Sequence, residues 1–246
     1  MQYSTFAAID IGSYDVILEI FEISKKQGIR SVDKICHRME LGKDTYTLGK
    51  IRPEMEEELC RVLADFVRIM EGYRVDAYRA MASSAISEAA NSLYVLGKIR
   101  QLTGLSVTVL SNSEQRFLGY KALAAMEDNF NKVIEKGTAI LDLDGGSFQI
   151  SLFDKDALVT TQNIRMGSLR VRERLAGIQS ETEHYEEMVE ELIWNEVSSF
   201  KKMYLKDRKI ENIMLIGDVF TDSVYQNIEE LSLIHISEPT RLQLIS

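Results

Sequence analysis

Asp142-Leu143-Asp144-Gly145-Gly146-Ser147 sets two carboxylates, two glycines and a hydroxyl within six residues. Glycine accepts φ > 0 without steric cost and lets backbone N–H groups approach a ligand closely. A concave row of such groups binds anions. Asp142 closes an apolar β-forming run, where a carboxylate can hold a cation or a water. A shorter copy, Asp10-Ile11-Gly12-Ser13, stands near the start of the chain. Each copy is followed by an alternating run, residues 16–23 after the first and 148–153 after the second. Read alone, one such stretch is a hairpin with a polar tip. Strand, acidic glycine turn, strand, occurring twice, points instead to two related halves. Each would bring a phosphate-type turn and an acid to a cleft holding a metal-bound phosphate.

The elements that must position these turns follow from periodicity. Residues 6–10, 16–23 and 30–41 read as strands. Pro53 opens a helix with Glu54, Glu56, Glu57 and Glu58 in its first turn, and Met55, Leu59, Val62, Leu63, Phe66 and Met70 at helical spacing. Residues 76–81 form a short strand. Ser83 and Ser84 offer capping hydroxyls for a helix through Ala90, and Asn91 or Ser92 caps the next, ending near Gly104. Residues 107–110 are a strand. Ser111-x-x-Glu114 then has the spacing of a capping box and opens a helix to about Met126.

A polar connector, residues 128–137, leads into the second half. Its strands are expected at 139–143, 148–153 and 157–165, with a short helix after Gly167 and a second capping box at Ser180-x-x-Glu183. Tyr185, Met188, Val189, Leu192, Ile193, Val197 and Phe200 form a stripe read as a core face. Residues 212–216 are a buried-type strand running into Gly217-Asp218. Both halves give strands first and then helices with a further strand, so the chain is α/β. The expected domains are 1–127 and an incomplete 128–230. Residues 231–246 show no sustained period and are read as a non-native tail, left out of the fold.

Composition narrows the function classes. Of 246 residues, 45% are hydrophobic and 27% charged, as in ordinary globular proteins. The net charge of −9 argues against DNA and acidic membranes as partners, so a polyanionic substrate needs local arginines or a divalent cation. Cys36 and Cys60 have no metal or redox spacing, and His37, His184 and His235 form no ligand cluster. With no signal peptide and no apolar run of bilayer length, a cytoplasmic location is expected.

With these residues placed, the chain resembles the exopolyphosphatase / guanosine pentaphosphate phosphatase (Ppx/GppA) family. Ala8-Ile9-Asp10-Ile11-Gly12-Ser13 is similar to that family's first phosphate turn. Ala82-Ser83-Ser84-Ala85-Ile86-Ser87-Glu88-Ala89-Ala90-Asn91 resembles its Ala-Thr-Ser-Ala-x-Arg-x-Ala-x-Asn segment. Leu110-Ser111-Asn112-Ser113-Glu114 resembles the segment holding its catalytic glutamate, and 142–147 its Asp-x-Gly-Gly-Gly-Ser turn. The resemblance implies a duplicated ribonuclease-H-like fold of the actin/hexokinase/Hsp70 type, with a cleft between the domains. It also implies hydrolysis of polyphosphate or a guanosine polyphosphate. Glu114 would accept a proton from the attacking water. Gly12, Ser13, Gly145, Gly146 and Ser147 would bind phosphate, and Mg²⁺ would lie near Asp10, Asp142, Asp144 and Gln149. Full-length members of the family often dimerise.

The departures have a physical cost. Ser87 and Glu40 replace family arginines, Gln149 replaces the metal-binding acid after the second turn, and Asp144 replaces a glycine. Each lost arginine removes a charge-assisted bond worth about 1.5–3 kcal/mol. Asp144 could stand in for the missing carboxylate or repel phosphate. Arg79, Arg116, Lys121, Arg165 and Arg170 are the cations near the relevant segments. Two other readings therefore stand beside the hydrolase. One is a weakened relative that binds phosphate or nucleotide as a sensor. The other is a small-molecule kinase of the same broad fold, for which Gly217-Asp218 makes a poor phosphate loop.

Overall fold

In the computed structural model, residues 3–126, 130–177, 184–205, 208–217, 234–235 and 243–245 are described. The chain divides into two units, Met1–Gln115 and Arg116–Ser246. In the first, the alternating runs become β1 (Ser4–Ile11) and β2 (Asp15–Ser24), paired antiparallel around the turn at 12–14. Ala7, Ile9 and Ile11 of β1 and Val16, Leu18 and Ile20 of β2 are buried, as period-two alternation requires. β3 (Gly28–Arg38) is the outer neighbour of β2 and lies largely exposed, with the charged residues expected of a sheet edge.

The third strand stops at Arg38, short of the predicted 41. Met39 and Glu40 both donate backbone N–H groups to the Tyr14 carbonyl, and Glu40 takes φ 53. That left-handed residue turns the chain into α1 (Leu41–Leu48), a helix the periodicity did not announce, which ends at Gly49 with φ 70. Buried Asp44 of α1 accepts the Arg52 N–H at 2.9 Å and its guanidinium at 2.9 Å, tying α1 to the start of the next helix. That helix, α2 (Pro53–Gly72), begins at the predicted proline. It buries Leu59, Leu63 and Phe66 in the unit's core, roughly 1.5–3 kcal/mol for each such side chain.

β4 (Ala77–Ala82) runs parallel to β1, and β5 (Val107–Val109) parallel to β4. Between them lie α3 (Ser84–Ser87), shorter than predicted, and α4 (Ser92–Thr103). Neither predicted cap forms here. The Ser83 hydroxyl reaches the Ile11 carbonyl instead, and the Asn91 amide bonds both the N–H and the carbonyl of Ile51. Tertiary partners outbid the local ones. α5 (Asn112–Met126) follows, its residues from Arg116 onward belonging to the second unit.

The predicted connector contains α6 (Phe130–Ile134). β6 (Thr138–Leu143), β7 (Phe148–Asp154) and β8 (Ala157–Ile164) are antiparallel neighbours, and after α7 (Ser168–Leu175) and α8 (Tyr185–Tyr204), β9 (Asn212–Gly217) pairs parallel with β6. The order β8-β7-β6-β9 repeats β3-β2-β1-β4, with the same strand senses. The motif duplication is therefore also a topological one. Of the stripe on α8, Phe200 is buried, Tyr185, Met188, Val189, Leu192 and Val197 are half-buried, and Ile193 is exposed. Within 231–246, where no strand was expected, β10 (Ile234–His235) and β11 (Gln243–Ile245) join the second sheet. Ser180, Glu183 and Asp218 lie outside the described residues. Among the described residues no helix is long and apolar enough to cross a membrane.

Candidate functional site

Each sheet places its glycine turn at the end of its central strand. In the first unit, Gly12 donates its N–H to the Asp15 carbonyl at 3.0 Å, and the Ser13 carbonyl accepts from Gly42 of α1 at 2.9 Å. Tyr14 O takes the two bonds already described, and Ile11 O accepts from Ser83 N–H. The carbonyls of 11 and 13–15 are thus all spent inside the unit. Ser13 is buried, and its hydroxyl lies 2.7 Å from Tyr46 Oη and 3.5 Å from Ser84 Oγ. Asp10 is exposed at the close of β1.

The second turn is built alike from different parts. Asp144 O accepts from Ser168 N–H, Gly145 O from Leu169 and Arg170 N–H, and Ser147 O from Asp144 N–H. The Arg170 guanidinium donates to Gly146 O at 3.0 Å. All four carbonyls, 144 to 147, are engaged by the turn itself or by the start of α7. Gly167 makes this clasp possible, because a Cβ there would overlap the backbone of Asp144, Gly145 and Ser147. Of the five cations picked from sequence, Arg170 is bonded to the turn. Arg116 donates to Thr161 Oγ1 at 2.9 Å, Lys121 sits over the Phe117 ring, and Arg79 and Arg165 are exposed.

Register fixes the acid-bearing row beside this turn. Asp142 of β6 faces Gln149 of β7, and Gln149 faces Asn163 of β8, so the three share one face of the sheet. Gln149 is buried, and Asn163 Oδ1 is a buried oxygen without a hydrogen-bond partner among the described residues. Farther along the same face, Tyr120 of α5 donates to Ser151 Oγ at 2.5 Å, and Ser151 meets Thr161 at 3.3 Å. Asn163 had no sequence signal, since its place depends on pairing between β7 and β8.

Glu114 lies in the first turn of α5 and forms the predicted capping box. Ser111 N–H and Oγ–H both donate to its Oε2, at 2.9 and 2.7 Å, and Glu114 N–H returns a bond to Ser111 Oγ. The Ser111 backbone bond, and then its hydroxyl bond, hold this exposed carboxyl below the usual carboxylate range. Oε1 takes part in neither bond. The group is therefore ionised at neutral pH, with one oxygen committed to the helix.

The donor set around the second turn is all oxygen, which suits a hard divalent cation. Among the described residues no group of three or more His, Cys, Asp or Glu could hold a metal. Mg²⁺ does not need one: it binds through one or two carboxylates and completes its shell with water and phosphate oxygens. Asp142 with Asp144, the Gln149 amide and the orphaned Asn163 oxygen fit that pattern.

The family model described as the Ppx/GppA phosphatase family matches residues 19–244. A bifunctional 3-dehydroquinate synthase/phosphatase of Fusobacterium nucleatum subsp. nucleatum is 21% identical over 96% of this chain and 36% of its own length. Exopolyphosphatase 1 of Mycobacterium leprae is 25% identical over 58% of this chain and 41% of its own. The chain therefore spans well under half of these curated relatives. The crystal structure of an exopolyphosphatase from Cytophaga hutchinsonii superposes with a TM-score of 0.74 at 20% identity, covering 93% of this chain and 71% of that one. The fold is the duplicated ribonuclease-H-like type.

Proposed function

We propose, on the premise that this chain belongs to the Ppx/GppA phosphatase family, that it hydrolyses a terminal phosphoanhydride, releasing phosphate from inorganic polyphosphate or guanosine pentaphosphate by Mg²⁺-assisted attack of water. The observation that carries this reading is how the two turns are made. Carbonyls 13–15 and 144–147 all accept bonds from inside their own unit. Those seven carbonyls are committed within the fold rather than left facing phosphate oxygens. Gly12, Gly145 and Gly146 add no side chain to keep a phosphate away from the backbone.

In this reading Gly12, Ser13, Gly145, Gly146 and Ser147 hold phosphate oxygens, chiefly through the backbone. Asp142, Asp144 and Gln149 would hold Mg²⁺ in the second unit, and Asp10 is the corresponding carboxylate of the first turn. When bound, the ion would offset charge on the transferred phosphoryl group. Glu114 would accept the proton of the attacking water on Oε1 while Oε2 stays in the capping box. Arg170 steadies the second turn from behind.

The capped carboxylate also favours a second reading, a phosphate-binding protein without turnover. A base held below its usual range is a weaker proton acceptor, and Gln149 supplies no charge to a metal. Phosphate release from polyphosphate and guanosine pentaphosphate, with and without Mg²⁺, separates the two. Mg²⁺-dependent release that falls at least ~100-fold in Glu114→Gln supports the hydrolase, since a positioned base contributes roughly 10²–10⁴-fold. Glutamine also serves at that capping-box position, so the fold is preserved. No release from either substrate, with ligand-induced thermal stabilisation, rejects the hydrolase for the binding protein.

A further inference from the structure

A partly buried knot of three hydroxyls stands behind the first turn. Tyr46 Oη lies 2.7 Å from Ser13 Oγ and 2.8 Å from Ser84 Oγ, and the two serines are 3.5 Å apart. Ser13 is 2% exposed and Ser84 9%. Hydroxyls buried this deeply are costly unless bonded, and the Tyr46 phenol satisfies both. The three belong to three elements: the β1–β2 turn, α1 and the start of α3. α1 is also fastened on each side by other bonds. Gly42 N–H donates to Ser13 O at 2.9 Å, and the Thr45 hydroxyl donates to Ala85 O at 2.6 Å.

The Ser13 side chain therefore points into the protein and is occupied there. A turn anchored by both its hydroxyl and its carbonyl cannot rotate either of them toward an arriving anion. We infer that Tyr46 is a positioning residue for phosphate binding: its phenol latches the Ser13 hydroxyl inward, so that the turn meets phosphate with its backbone already set. This rests on the reading of the first turn as a phosphate site, and it gives the serine there a role as anchor. Binding to a pre-set site avoids the cost of ordering the turn at the moment of contact.

The test compares two hydroxyl deletions one residue apart on α1. Tyr46→Phe removes the latch, while Thr45→Val removes a brace on α3 that does not touch the turn. Three quantities are measured on the whole chain: amide hydrogen exchange across residues 12–15, pyrophosphate affinity by calorimetry, and KM and kcat for polyphosphate with Mg²⁺. Tyr46→Phe is expected to speed exchange at 12–15 at least tenfold. It should raise KM and the pyrophosphate Kd about fivefold or more, with kcat within twofold. Thr45→Val should lower Tm without moving exchange at 12–15, KM or Kd.

Unchanged exchange in Tyr46→Phe overturns the latch. Faster exchange with unchanged KM and Kd also overturns it, leaving a structural bond only. Failure of the hydrolase reading shows separately, in the wild type: no turnover, yet a pyrophosphate affinity that Tyr46→Phe weakens, keeps the latch and removes the hydrolase. A wild type that neither turns over nor binds pyrophosphate overturns both.

Discussion

Ser111 and Glu114 bind each other in both directions, and the whole load on the carboxylate falls on Oε2. The Ser111 bonds thereby hold the carboxyl of the proposed base below its ordinary range.

Ser111→Ala removes the hydroxyl part of this hold and should let the Glu114 carboxyl rise toward its ordinary range. The folded value lies below the unfolded one, so the contribution to stability is present above the unfolded value. It is lost as pH falls through the lowered folded value. The Tm difference between wild type and variant should be largest near neutrality and narrow as the solution is acidified past the carboxylate range. If Glu114 is the base, the acidic limb of the rate profile moves to higher pH in the variant. A pH-independent Tm difference with an unmoved limb would contradict both statements.

Gly167→Ala should damage the second turn from behind. The added Cβ would overlap the backbone of Asp144, Gly145 and Ser147, and backbone cannot rotate aside as a long side chain can. Overpacking of this kind costs about 1–3 kcal/mol. Chemical denaturation measures it, and phosphate affinity should fall alongside. A fully stable variant with wild-type affinity would mean that the α7 clasp is dispensable.

Asp44→Ala should destabilise the first unit, because it strips the start of α2 of its acceptor. Asp44 is 1% exposed and bonds both the backbone and the guanidinium of Arg52. A loss of about 1–3 kcal/mol is expected from the urea midpoint. Asp44→Asn should lose less, since an amide oxygen can still accept the Arg52 N–H. Equal losses in the two variants would assign the effect to the charge alone.

Gln149→Glu restores a carboxylate directly across from Asp142 in the sheet. Side chains so placed have Cβ atoms about 4.5–5.5 Å apart. Burial and the neighbouring acid both push the new carboxyl up, so the variant should be less stable than wild type without metal. Mg²⁺ should then raise its Tm more than it raises that of wild type. An identical Mg²⁺ response in the two proteins would remove Gln149 from the metal row.

Much of the fold was legible before any coordinates. The proline start of α2, the strand pairs around both glycine turns and the Ser111–Glu114 box depend on residues close together in the chain. Their periods and spacings are written locally. The repeat of the turn motif also foretold two related halves, because strand–turn–strand is a single local unit. The caps at Ser83 and Asn91 failed for the opposite reason: partners distant in sequence, Ile11 and Ile51, took the side chains.

Sequence by itself determined that the strand, glycine turn, strand unit comes in two copies, and it marked the residues proposed to meet a phosphate. Only the tertiary structure decided what stands behind them. Tyr46 reaches Ser13 across 33 residues and Ser84 across 38, Asn163 comes beside Gln149 through strand register, and Gly167 lies flat against Asp144, Gly145 and Ser147. Such contacts are set when helices and strands pack. A hydroxyl or amide has no periodic signature that announces which distant partner will bury it.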